Sequence, residues 1–221
     1  VKEIAFLNDR AITFLAKWHH DYAGSSSHIH QSLRRADGEA VFFDPAQPHS
    51  MSKMMQSYLA GLLTYADDTT YFLAPYVNSY KRFKAGTFAP TKAIWSIDNR
   101  TAGYRVVAEN SQNIRVECRV GGSDLNPYLA LASQLAAGLK GIEDNLTLEA
   151  EFTGDAYQAD AARSIPASLR DATVALDQSK MLRAAMGDAV VDHYVRAARW
   201  EQEDFDGKVT DYEVRRGFER A

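Results

Sequence analysis

The seven residues from Ile114 to Val120 alternate apolar and charged side chains, with Val116 and Cys118 set between Arg115, Glu117 and Arg119. A period of two belongs to a β-strand, whose successive side chains point to opposite faces. The chain must therefore hold a sheet with one apolar face and one charged face. Three charges in a row on a strand are expensive unless water or ligands meet them. Two arrangements satisfy them. One is an exposed strand whose charges pair with each other. The other is a site in which Glu117 reaches a divalent metal between two anion-binding guanidiniums.

His28 to Leu33, Thr91 to Ile97 and Gly103 to Ala108 are also short, rich in β-branched or aromatic residues and bounded by turn formers, so they read as strands. Helical periodicity marks Lys2 to Leu15, Ser50 to Tyr65 and Asn126 to Ile142, the last expected to end near Gly141. In the second, Met51, Met54, Met55, Tyr58, Leu59, Leu62 and Leu63 form the apolar stripe. From Ser168 the pattern is helical again, divided by Gly187 and closed by a charged stretch from Thr210 to Arg220. Strands in the middle with helices around and after them predict a mixed α/β or α+β layered fold. No repeat, low-complexity tract or long linker divides the chain, which reads as one domain or part of one. Val1 stands inside an apparent helix with no cap before it, so the N-terminus is expected to be truncated, while the C-terminus reads as complete.

The net charge is only −4, which gives no reason to expect nucleic-acid binding. No stretch has the make-up of a secretory signal or the length of a membrane span, so no membrane insertion is expected. The lone Cys118 excludes an intramolecular disulfide framework and suits the cytoplasm. The charge is uneven along the chain. Asn78 to Arg119 holds eight Lys and Arg against three Asp and Glu, whereas Glu143 onward holds seventeen acidic residues against ten basic ones. A basic centre sits inside an acidic chain.

Within that centre lie Arg82 of NSYKRF and Arg100 and Arg105 of DNRTAGYR. With Arg115 and Arg119 they make five guanidiniums able to gather on one site. Arginine suits carboxylate and phosphate because its planar fork binds their oxygens bidentately and keeps its charge. Upstream, GSSSHIHQSL places His28 and His30 on one face of a strand and Ile29 on the other. Two imidazoles on an open face can bind metal or phosphate, although paired surface histidines are common and a metal needs further ligands.

In order and spacing these segments resemble glutamine synthetase: GSSSHIHQSL at Gly24 to Leu33, NSYKRF at Asn78 to Phe83, Ala89 and Pro90, DNRTAGYR at Asp98 to Arg105, RVECR at Arg115 to Arg119, and DLNPYLALA at Asp124 to Ala132. The similarity runs through to the closing VTDYEVRRGFER. It implies the catalytic-domain fold of that family, a guanido kinase-like, mainly antiparallel sheet flanked by helices, with residues 1–221 as the C-terminal portion and the N-terminal β-grasp-like domain absent. It also implies an ATP-dependent ligase using Mg²⁺ or Mn²⁺. The γ-carboxylate of glutamate attacks ATP to give γ-glutamyl phosphate, and an amine then displaces phosphate.

By matching positions, the resemblance makes His28 and Glu117 metal ligands and places His30 and Ser32 along the nucleotide. Arg82 and Arg119 would hold the amino-acid substrate, and Arg100, Arg105 and Arg115 would surround the phosphates, with Arg100 and Arg82 counted as catalytic. Family active sites form between subunits of large rings, which implies a homo-oligomer. Two positions depart from the pattern. Phe88 stands where the family carries a flap glutamate, and the substrate-contacting Asn-Gly pair is Ala23 and Gly24. Phe88 cannot attract ammonium by charge or accept its proton, but it can line a pocket for an alkylamine or polyamine. The competing readings are a non-catalytic structural relative and a generic phosphate-binding protein.

Overall fold

The computed structural model describes residues 1–220 of the 221-residue chain. Its elements run α1 (Lys2–Leu7), β1 (Ile29–Gln31), α2 (Lys53–Thr64), α3 (Ala66–Leu73), α4 (Val77–Tyr80), β2 (Trp95–Ile97), β3 (Tyr104–Val107), β4 (Arg115–Cys118), α5 (Pro127–Glu143), α6 (Leu169–Gln178), α7 (Lys180–Met186), α8 (Asp188–Asp206) and α9 (Asp211–Glu219). The strands form one four-stranded sheet in the order β1-β4-β3-β2. β4 is antiparallel to both β1 and β3, and only β2 and β3 run parallel. The mainly antiparallel α+β expectation is met, and all four strands fall inside their predicted segments.

Register does most of the work of placing the site. Glu117 pairs with His30 on one side and Arg105 on the other, and Arg105 pairs with Ser96. The adjoining row, Ile29, Cys118, Tyr104 and Trp95, turns to the opposite face because side chains alternate along every strand. That second row is buried and joins the main core with Val116, Val106, Tyr58, Leu59 and Leu62. Leu59 and Leu62 are completely buried. Each contributes about 1.5–3 kcal/mol by leaving water.

Three helix boundaries differ from the sequence reading. α1 stops at Leu7 rather than Leu15: none of its side chains is buried, Asn8 Nδ2 donates to the Ile4 carbonyl, and Asp9 turns the chain at φ 53°. Periodicity without a core to pack against did not extend the helix. α2 begins at Lys53, capped by Ser52, whose hydroxyl accepts the Met55 amide. Ser50 lies instead in a tight turn at φ 54°, and buried Met51 enters the core from extended backbone. α5 begins at Pro127 with Asn126 as its cap rather than its first turn, and it runs through Gly141 to Glu143. A Cβ on Gly141 would lie 2.2 Å from the Ser57 carbonyl oxygen and 2.6 Å from Gly61 Cα. Gly141 is thus a close-approach residue between α2 and α5, not a helix terminator. Gly187, at φ 88°, does separate α7 from α8, and Ser179 makes a second break by capping α7. No helix among the described residues is long and apolar enough to cross a membrane.

Candidate active site

The charged row of the sheet carries a buried carboxylate. Glu117 is 2% exposed and is met from three strands and loops at once. Arg119 Nη1 donates to its Oε1 at 2.9 Å, Arg105 Nη1 donates to its Oε2 at 3.1 Å, and His28 Nδ1 stands 2.8 Å from Oε1. His30 Nε2 lies farther off, at 3.8 Å. Arg105 also pairs with Asp98 at the rim, and Arg115 Nε donates to His30 Nδ1 at 3.2 Å. Burial pushes the Glu117 carboxyl up, but Arg119, Arg105 and His28 together bring it below its ordinary value. Burial lowers His28, helped by Arg119 and opposed by Glu117. At neutral pH the row therefore holds an ionised carboxylate among guanidiniums.

The strand is not simply an exposed row of self-paired charges: its centre is buried, and guanidiniums crowd a single carboxylate there. His28, His30, Arg105, Arg115, Glu117 and Arg119 belong to one connected network. Arg82 sits behind it. It is 3% exposed, donates to the Val120 carbonyl, and has its pKa lowered to about 10 by burial, with Asp124 opposing. Gly24 adjoins its stem, since a Cβ there would stand 2.8 Å from Arg82 Cγ and 2.4 Å from the Ala16 carbonyl oxygen. Arg100 is exposed and enters through its backbone, its carbonyl accepting from Arg119 Nε at 3.2 Å. Ser32 is exposed just past β1. Phe88 is 58% exposed and turns its backbone at φ 54°.

Sequence reasoning missed three contributors. Asp98, the first residue of DNRTAGYR, carries no signal of its own in the sequence, although it holds Arg105. Asp124, which accepts from Ser79 Oγ at 2.7 Å, is the acidic neighbour of buried Arg82. Tyr157 lies in a short turn, Ala156–Gln158, with no periodic or motif signal; burial raises its phenol's pKa, with the charges of Arg119 and Arg82 opposing.

The divalent ion implied by the resemblance can be tested against this donor set. His28 and Glu117 offer one imidazole and one ionised carboxylate on the same face. Two protein donors do not close a tetrahedral site. They do fit a hard ion such as Mg²⁺, which binds through one or two carboxylates and completes its shell from water and phosphate oxygens. The surrounding guanidiniums fit the phosphates that would share such an ion. Elsewhere, His19, His20 and Asp21 on the segment before Gly24 form the one three-donor cluster among the described residues.

Comparison with known proteins agrees with the geometry. Residues 1–217 match the family described as glutamine synthetase, catalytic domain. Gamma-glutamylethanolamide synthetase of Streptomyces coelicolor is 46% identical over 219 residues, covering 99% of this chain and 46% of that protein. Glutamate–isopropylamine ligase of a Pseudomonas species is 35% identical, covering 98% of this chain and 48% of its own length. The chain thus spans about half the length of these curated relatives. A solved structure of GmaS in complex with ADP superposes with a TM-score of 0.88 at 29% identity, covering 99% of this chain and 51% of that one. With motif order, sheet topology and a match over nearly every residue in agreement, the chain belongs to the glutamine synthetase catalytic-domain family.

Proposed function

We propose that this chain supplies the arginine-bearing portion of an ATP-dependent ligase that joins the γ-carboxylate of glutamate to a primary amine. The observation that carries the reading is the buried Glu117, ionised and bracketed by Arg105, Arg119 and His28 on one sheet face. Such a face can neutralise transferring phosphate and the acid that receives it. When bound, Mg²⁺ or Mn²⁺ would supply Lewis-acid neutralisation of phosphate oxygens, held by Glu117 and His28. Arg115 and Arg105, with Arg100, His30 and Ser32 nearby, would orient ATP. Arg119 and Arg82 would hold the amino acid. In the first step a glutamate γ-carboxylate oxygen bonds to the terminal phosphorus of ATP and ADP leaves. In the second the amine nitrogen bonds to the γ-carbonyl carbon, phosphate leaves with its bridging oxygen, and the nitrogen loses a proton.

An alkylamine or alkanolamine is favoured over ammonia by Phe88, an exposed aromatic in place of the flap carboxylate, and by relatives named for an ethanolamide product and for isopropylamine as substrate. Family membership supports a homo-oligomeric ring in which a further, β-grasp-like domain completes the site. A single, buried cysteine, Cys118, is compatible with placement in the cytoplasm. The test is phosphate release from ATP and glutamate by the protein expressed from its complete reading frame, with ammonia, ethanolamine, alkylamines and polyamines offered in turn. Turnover is expected with a carbon-bearing amine, and Phe88→Glu should move preference toward ammonia by about tenfold or more. Release with none of them would sink the ligase, and wild-type preference for ammonia would sink the amine assignment.

A further inference from the structure

The chain leaves the core at Ala16, which is fully buried, and comes back alongside it at Ser25, whose amide donates to the Ala16 carbonyl at 2.9 Å. The loop between them is fastened from outside by one side chain. Asn78, on α4, donates through Nδ2 to the Lys17 carbonyl at 2.8 Å and accepts the Lys17 amide on Oδ1 at 2.9 Å, across 61 residues of sequence. A carboxamide is both donor and acceptor, so it satisfies both main-chain groups of one residue as a neighbouring strand would. Lys17 is 8% exposed, and its ammonium donates to the Tyr22 carbonyl, which closes the loop from within. The far end of the loop sets Gly24 against Arg82, so close that a Cβ there would stand 2.8 Å from Arg82 Cγ. Arg82 belongs to the same turn of chain as Asn78, its amide donating to the Ser79 carbonyl at 3.2 Å. Asn78, Lys17, Gly24 and Arg82 thus form a closed frame.

Resting on the ligase reading above, we propose that Asn78 is a positioning residue for the amino-acid substrate, holding the loop of residues 16–25 so that Gly24 fixes the stem of Arg82. Arg82 braces the end of β4 by donating to the Val120 carbonyl, next to Arg119. Ser26 and Ser27, following Gly24, run beside Gly122 and Gly121 on the way to His28. The guanidiniums that the ligase reading assigns to glutamate are therefore tied to the loop. Those assigned to ATP are held separately, Arg105 by Asp98 and Glu117 and Arg115 by His30, and none of these contacts involves residues 16–25. Main-chain groups left without partners are drawn toward water, and a small displacement of a positioning group weakens a bound geometry strongly. Loosening the loop consequently disturbs glutamate more than the nucleotide.

The experiment measures KM for glutamate, KM for ATP and kcat in the protein from its complete reading frame, with the amine that gives the fastest wild-type phosphate release. Asn78→Ala removes both hydrogen bonds and is expected to raise KM for glutamate about tenfold while KM for ATP moves by less than about twofold. Asn78→Asp keeps the acceptor for the Lys17 amide but not the donor to its carbonyl, and should recover part of the loss. Lys17→Met keeps the stem but frees the Tyr22 carbonyl, and should raise KM for glutamate about threefold. A lower melting temperature is expected of Asn78→Ala whatever its role, so the split between the two KM values decides. In a folded Asn78→Ala variant, both KM values rising together, or neither moving, overturns the assignment while leaving the ligase intact. If Asn78→Ala does not fold, an unchanged KM for glutamate in Lys17→Met overturns it. Wild-type protein that releases phosphate with no amine overturns both this assignment and the reading it rests on.

Discussion

Two charge networks in this molecule are built with opposite proportions. Around Glu117, one buried carboxylate is crowded by Arg105, Arg119 and His28. Around Arg183, at the junction of α7 and α8, one guanidinium is shared by Asp177, Asp188 and Asp192 at 2.8 to 2.9 Å, and Asp177 also takes Arg199 at 2.6 Å. The second network is solvent-facing, and water screens whatever excess charge it holds. The first lies on a sheet, away from water, with cations in surplus. Excess positive charge held in a low-dielectric setting is a binding surface for anions; excess negative charge at a wet helix junction is a solubilising one. The same pairing chemistry thus serves two ends, and burial decides which.

The largest test of that contrast is Glu117→Ala. It should lower unfolding stability by about 3–5 kcal/mol in denaturant titration, because guanidiniums are left facing one another in the sheet, and it should abolish phosphate release. A stability loss no larger than that of a surface variant would mean that the row is wetter than its burial indicates. Next in size is a double-mutant cycle between Arg119 and Glu117, expected to give a coupling of about 1–3 kcal/mol. Coupling near zero would reduce their 2.9 Å contact to coincidence. The smallest effect belongs to Arg183→Ala, which should leave the denaturation midpoint almost unmoved at high salt and shift it slightly at low salt. A large, salt-independent loss there would erase the distinction between the two networks.

How far the site was readable follows the same division. The alternation at Ile114 to Val120 announced a charged sheet face because period-two patterning is local and strict, and the structure delivers it residue for residue. What local pattern does not carry is which charges meet. Arg82 and Arg100 stand in the same basic stretch, yet Arg82 is buried against the Val120 carbonyl while Arg100 contributes a backbone oxygen. Those outcomes depend on chain crossings, such as the passage of Gly24 beside the Arg82 stem. Gly141 misled for a related reason. A glycine near a helix end reads as a stop signal, but here its missing side chain answers to Gly61 and Ser57 on a different helix. The α1 stripe over Lys2 to Leu15 had periodicity without a partner, and only its first turns are helical. Tyr157 left no trace at all, since its place is set by loop contacts to Asn99 and Thr101.

The pairing of His30, Glu117 and Arg105 in one row has a consequence for how the chain assembles itself. Sliding β4 by a single residue would turn Glu117 inward among Tyr104, Trp95 and Leu62 and bring Val116 or Cys118 to the polar side. Burying an unpartnered carboxylate in that core costs far more than any mispaired strand recovers. The charged groups of this row therefore also proofread the sheet during folding. A chain that has closed β4 wrongly cannot settle, and one that has settled already has its row of charges aligned.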